Sequence, residues 1–230
     1  MYYYENLVFG GSQLEYGRSA SYIESIDIYD AEDNPISNTI AMFDLTYSEG
    51  VLEVTKTQVI IRLFDVSKYY DGTPISYYED DYIVVDSKGL TLDIRLGGQL
   101  TDVGKLTYDD IREASYYRFY DAYGYDVTDN YYLLIEGNPL EVKARNIEVR
   151  SIDASKRYDS EALTSNRAWV SQGSLVSGHV ITFTITASIT HVGSIENKID
   201  NIVIMSGGVD VTENYNIEKI YGTLVVEPME

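Results

Sequence analysis

One phrase recurs three times along the chain, and that recurrence constrains the fold more than any composition. Gly50-Val51-Leu52-Glu53-Val54, Gly137-Asn138-Pro139-Leu140-Glu141-Val142 and Gly222-Thr223-Leu224-Val225-Val226 stand 87 and then 85 residues apart. Asp65-Val66-Ser67-Lys68-Tyr69-Tyr70-Asp71-Gly72 returns 88 residues later as Asp153-Ala154-Ser155-Lys156-Arg157-Tyr158-Asp159-Ser160. Asp126-Val127-Thr128-Asp129-Asn130-Tyr131 returns 84 residues later as Asp210-Val211-Thr212-Glu213-Asn214-Tyr215. A period this long exceeds a solenoid turn and matches a small domain with its own core. The phrases divide the chain into 1–55, which carries only the C-terminal half of a repeat, then 56–143, then 144–230. A chain that begins inside a repeat reads as an excised piece of a longer protein.

The local pattern within each repeat is β. Ile181-Thr182-Phe183-Thr184-Ile185-Thr186-Ala187-Ser188-Ile189 alternates apolar and small polar side chains, the period of a strand with one buried face. Leu92, Ile94 and Leu96 match Ile181, Phe183 and Ile185. Val59 and Ile61 match Ile147 and Val149 in an opening strand, and Ile26 and Ile28 match Ile202 and Ile204 in a later one. No segment holds a helical period over ten residues. The best helical candidate runs from Tyr108 to Tyr117, although its counterpart around Ile199 reads as extended. Short strands broken by Asp71-Gly72, Lys88-Gly89, Gly97-Gly98, Ser177-Gly178 and Gly207-Gly208 predict an all-β chain of tandem Ig-like β-sandwich domains. The joints Thr55-Lys56-Thr57 and Lys143-Ala144-Arg145 are too short for free hinge motion and predict an elongated array.

Composition removes several functions. Cysteine is absent, so disulfides, thiol catalysis and thiolate zinc sites are excluded. A formal charge of -20 repels phosphate backbones and anionic lipid, which argues against nucleic-acid partners. No apolar run is long enough to insert in a membrane. His179 and His191 belong to no repeated Ser/His/Asp arrangement, so no catalytic residue is assigned. Adjacent carboxylates such as Asp80-Asp81 and Asp109-Asp110 point to opposite faces if they lie on strands.

The strings Ser-Lys-x-Tyr-Asp-Gly-Thr, Ser-Gly-His-x-Ile, Val-Gly, Asp-Val-Thr-x-Asn-Tyr and Gly-x-Leu-x-Val occur here in that order. They stand at 67–73, 177–181, 103–104 and 192–193, the two Asp-Val-Thr strings, and the three closing phrases. In that order they resemble the YDG/MBG-type Ig-like repeats of bacterial, mainly Gram-positive, surface proteins. The resemblance implies non-catalytic β-sandwich modules of secreted, cell-wall or cell-surface adhesins, extracellular, whose immediate partners are neighbouring repeats. Arg157-Tyr158-Asp159-Ser160 departs from the Tyr-Asp-Gly pattern, so that turn is expected to differ.

Two sets of residues carry binding chemistry. Asp126 stands 22 positions after Gly104 in the middle repeat, where Asp210 stands 17 after Gly193 in the last, a difference of five. Tyr116, Tyr117, Tyr120, Tyr123 and Tyr125 lie in that stretch and offer rings to a host or environmental glycan or protein, with strand filling as the competing explanation. Trp169, the sole Trp, is a second candidate, with partial core burial as its alternative. The other set is Asp126 with Asp129 and Asp210 with Glu213, hard oxygen donors suited to calcium, although a simple turn accounts for the same spacing and no cofactor is required. Lys56 or Lys143 with Asn130 or Asn214 would supply an internal crosslink if buried beside an acid.

Overall fold

The computed structural model describes residues 2–36 and 48–229. Strand accounts for 56% of it and helix for 6%, so the chain is all-β. No ladder exceeds three strands among the described residues. No helix among them is long and apolar enough to cross a membrane.

The chain divides into two compact units. The first comprises Met1–Arg62, Val84–Ile94 and Tyr116–Glu136, and the second Leu63–Ile83, Arg95–Ser115 and Gly137–Glu230. The middle repeat therefore contributes strands to both.

In the first unit, Tyr3–Gly10 pairs antiparallel with Gly17–Tyr29, which pairs in turn with Gly50–Val54. The opening strand Thr57–Leu63 lies between Tyr131–Gly137 and Tyr82–Asp86, and Thr91–Arg95 lies beside Tyr116–Tyr120. Val59 and Ile61, which the alternation predicts to face inward, are buried, and so are Phe119, Leu133 and Ile135.

In the second unit the last repeat shows the full strand plan. Arg145–Ser151 runs parallel to Tyr215–Ile220 and antiparallel to Ala168–Gln172. The closing strand Gly222–Glu227 runs parallel to Ala154–Arg157 and antiparallel to Gly193–Asn197. Val180–Ile185 pairs with Ile199–Ser206. The middle repeat repeats the closing arrangement, with Glu141–Lys143 parallel to Ser67–Tyr69 and antiparallel to Gly104–Lys105. Ile147, Val149, Ile185, Ile199, Ile202 and Ile204 form a buried cluster in the last repeat.

Three local expectations change. The nine-residue strand from Ile181 breaks after Ile185, where the Asp200 carboxylate takes the Thr186 N–H at 2.7 Å and its hydroxyl at 2.8 Å. Tyr108–Ala114 is a true helix, whereas Ile199–Ser206, the counterpart expected from the sequence, is a strand. Thr107 caps that helix by accepting from the Asp110 N–H, the Asp110 carboxylate accepts from the Thr107 N–H in return, and Ile111 is fully buried. Two turns of helix are too short to show periodicity, so Thr107 and Asp110 were its only signal. Finally, Ser160 holds φ 72° where Gly72 holds φ 77°, so the turn persists without the glycine. Asp71 and Asp159 accept from Lys68 and Lys156 at 2.6 Å in both copies, so the same clamp accompanies the turn with and without its glycine.

Candidate functional site

Both Asp-Val-Thr-x-Asn-Tyr strings fold into one construction. Asp126 Oδ1 accepts the Thr128 N–H at 3.0 Å and its hydroxyl at 2.6 Å, and Asp210 does the same for Thr212 at 2.9 and 2.6 Å. These threonine bonds hold both carboxyls below the usual carboxylate range. Each threonine hydroxyl in turn accepts a strand N–H, from Phe119 at 2.9 Å and from Ile204 at 2.8 Å. A 3-10 turn follows, Thr128–Asn130 and Thr212–Asn214. The sequence reading of a turn therefore holds for the aspartates. Asp129 and Glu213 line clefts beside these turns, together with Glu15 and Asp126 in one and Asp102 and Asp210 in the other. No group of three or more metal-ligating side chains is set to hold an ion among the described residues.

The asparagines do something that local reasoning misses. Asn130 Oδ1 accepts the Tyr16 N–H at 2.6 Å while its Nδ2 donates to the Glu15 carboxylate. Asn214 Oδ1 accepts the Val103 N–H at 2.7 Å while its Nδ2 donates to Asp102 Oδ1 at 2.8 Å. In each case one side chain closes on the preceding repeat's acid–apolar–Gly loop through an acceptor and a donor at once. A carboxylate acceptor makes the second bond charge-assisted. The link was invisible in sequence because its two strings lie more than a hundred residues apart, and because Tyr16 replaces the valine of Val-Gly in the first copy.

Around Asn214 the second unit adds an aromatic lock. Tyr70, from the Tyr-Asp-Gly turn of the middle repeat, is 3% exposed and belongs to the buried cluster of the last repeat. Its ring meets Tyr215 edge-on at 5.7 Å and lies 6.0 Å from His179. The Tyr215 hydroxyl accepts the Val176 N–H at 3.0 Å and shares a 2.8 Å hydrogen bond with His179 Nδ1. His179 thus bonds across the fold as well as locally, where its N–H reaches Val176 O at 3.1 Å. Burial, and next the Asp102 carboxylate, push the Tyr70 phenol up. Arg145, held by Ser174 O at 2.6 Å and the Ser174 hydroxyl at 2.7 Å, donates across the joint to Tyr70 O at 3.4 Å. Around Asn130, Lys56 Nζ stands 4.6 Å from the Tyr16 ring centroid. Lys143 Nζ donates to the Ser67 hydroxyl at 3.1 Å, so it is engaged away from the Asn214 amide.

The tyrosine set separates. Tyr117 stacks on buried Phe119 at 5.5 Å, facing inward. Tyr116 and Tyr120 alternate to the other face, with Arg118 set 5.5 Å from the Tyr116 ring. Tyr123 and Tyr125 are 87% and 70% exposed on a tight loop whose N–H groups both bond to Asp121 Oδ1 at 2.9 Å. These rings do not form the insertion. Val127 N–H bonds to Phe119 O and Val211 N–H bonds to Ile204 O at the same 2.9 Å, which fixes Phe119 and Ile204 as equivalents. Gly104 to Phe119 is then 15 residues against 11 from Gly193 to Ile204, which places four of the five extra residues in the Tyr108–Ala114 helix segment. Trp169 is 45% exposed opposite Arg150, while its neighbours Ala168 and Val170 face the core. Partial core burial of Trp169 is thereby replaced by an outward position. Comparison with protein families, curated proteins and solved structures finds no match to this chain.

Proposed function

We propose that the chain is a run of Ig-like modules from an extracellular bacterial surface protein, in which each module is fixed to the next so that the array acts as a spacer without catalysis. The observation that carries this reading is the twice-built asparagine joint. The same side chain, turn and acid–apolar–Gly loop recur at both junctions, and one junction adds a buried tyrosine. Such a joint costs conformational freedom that an array of independently binding beads would retain. The resemblance to YDG/MBG-type repeats supports the surface location, and the high negative charge suits mutual repulsion between neighbouring molecules.

Nitrogen-15 relaxation tests the spacer. Amides of 67–76 and of 145–228 are expected to report one rotational correlation time, and Asn214→Ala is expected to split it. Independent tumbling in the unaltered protein would refute the proposal. A second reading, direct glycan or protein capture, rests on the exposed rings of Tyr116, Tyr123 and Tyr125. A glycan and protein array separates the two: binding that disappears in a Tyr116/Tyr123/Tyr125 alanine variant favours capture, and no binding favours the spacer.

A further inference from the structure

Three acid- or histidine-led loops occupy the same register in this chain, and only two are occupied. Gly17 faces Val54, Gly104 faces Val142 and Gly193 faces Val226, each on the closing strand of its own repeat. The loops that lead into them are Glu15-Tyr16-Gly17, Asp102-Val103-Gly104 and His191-Val192-Gly193. The first two receive Asn130 and Asn214. The third receives nothing: Val192 is 54% exposed, and no hydrogen bond reaches its N–H or the His191 ring among the described residues.

The tyrosine half of the joint is duplicated as well. Tyr70 N–H donates to Lys143 O and Tyr158 N–H donates to Glu227 O, both at 2.8 Å, so the two backbones leave their closing strands identically. Each precedes an aspartate clamped by the lysine two residues ahead of the tyrosine. Yet Tyr70 is buried in the core of the following repeat, whereas Tyr158 is half-buried and its hydroxyl has no partner among the described residues.

We infer that Tyr158 and the His191–Gly193 loop form a docking surface for the asparagine-turn end of another repeat of this type. The incoming module would place its Asp-Val-Thr-x-Asn asparagine on the Val192 N–H and offer its Nδ2 to a ring nitrogen of His191, with Tyr158 entering its core as Tyr70 does. One difference narrows the partner further. A Cβ on Gly72 would stand 3.1 Å from Val176 Cγ1, and Ser160 carries that Cβ. The surface therefore selects a module with a residue smaller than valine at the position of Val176. The inference rests on the joint chemistry behind the spacer reading.

The test appends a second copy of 144–227 after Glu227 of the whole chain and follows amide hydrogen exchange. The Val192 amide is expected to slow about tenfold or more. Asn214→Ala in the appended copy alone should abolish that slowing, and Val176→Ala in that copy should deepen it. Exchange at Val192 that is unchanged by the appended copy, or slowing that survives its Asn214→Ala, overturns the inference. An appended copy that fails to protect its own opening strand also counts against it, since Tyr158 is held to complete that core. If Val103 remains protected through the native Asn214 in those failures, the spacer reading stands while this surface falls.

Discussion

Replacing Tyr70 by alanine tests the joint directly, because the chain supplies its own control. Tyr70 and Tyr158 occupy equivalent turns, with the same backbone bond and the same lysine–aspartate clamp. They differ in what surrounds the ring. Tyr70 is 3% exposed, with Tyr215 edge-on at 5.7 Å, whereas Tyr158 is half-buried. Burying a tyrosine removes roughly 150–250 Å² from water, an upper bound of about 4–6 kcal/mol at 25 cal/mol per Å². Truncation of buried aromatic rings costs about 3–5 kcal/mol in practice. Tyr70→Ala is therefore expected to destabilise the second unit by about 3 kcal/mol, and Tyr158→Ala by less than about 1 kcal/mol. Urea titration followed by circular dichroism reads the difference. With a slope near 2 kcal/mol/M, the midpoint falls by roughly 1.5 M for Tyr70→Ala and scarcely moves for Tyr158→Ala. Tyr70→Phe should retain most of the stability, because the ring carries the packing. Equal losses at the two positions would refute the argument, since they would assign both rings to their own repeats and leave the joint without an aromatic lock.

Further outcomes follow from single contacts. Asn214→Ala removes an acceptor and a donor from a nearly buried site and should cost about 1–3 kcal/mol, read in the same titration. Gly97→Ala would set a Cβ 2.0 Å from the Ala114 carbonyl oxygen, so the C-terminal end of the Tyr108–Ala114 helix must move, and a loss of about 3 kcal/mol or more is expected by thermal unfolding. Acid should destabilise the protein in a defined direction. Asp71 and Asp159, bonded first by their lysines, and Asp126 and Asp210, bonded first by their threonines, are all lowered in the folded state. Their stabilisation is present above the unfolded carboxylate value of about 4 and is lost as pH falls through their lower folded values. Asp210→Asn should be less stable at pH 7 yet lose less on acidification, and an acid titration with an unchanged slope would contradict the assignment.

How much of this was legible beforehand varies with the range of the interaction. Period-two alternation placed Val59, Ile61, Ile147 and Val149 in the core because strand periodicity is a local property. The aspartates of the Asp-Val-Thr turns were legible for the same reason, as they bond two residues onward. The Tyr108–Ala114 helix was half-legible, being shorter than the window in which a helical period shows. The match of Tyr117 and Phe119 to Ile202 and Ile204 was not legible, because sequence spacing alone cannot say where between Gly104 and Asp126 the extra residues fall.

The repeated phrases by themselves determined an all-β chain with a period near 88 residues, since backbone propensity and burial act over a few neighbours and recur whenever the string recurs. Only the tertiary structure decided what Asn130, Asn214 and Tyr70 are for. Their partners lie in another repeat, and whether an amide closes on its own turn or on a distant loop depends on which surfaces are brought face to face. The same string can therefore be a buried lock at Tyr70 and an open surface at Tyr158.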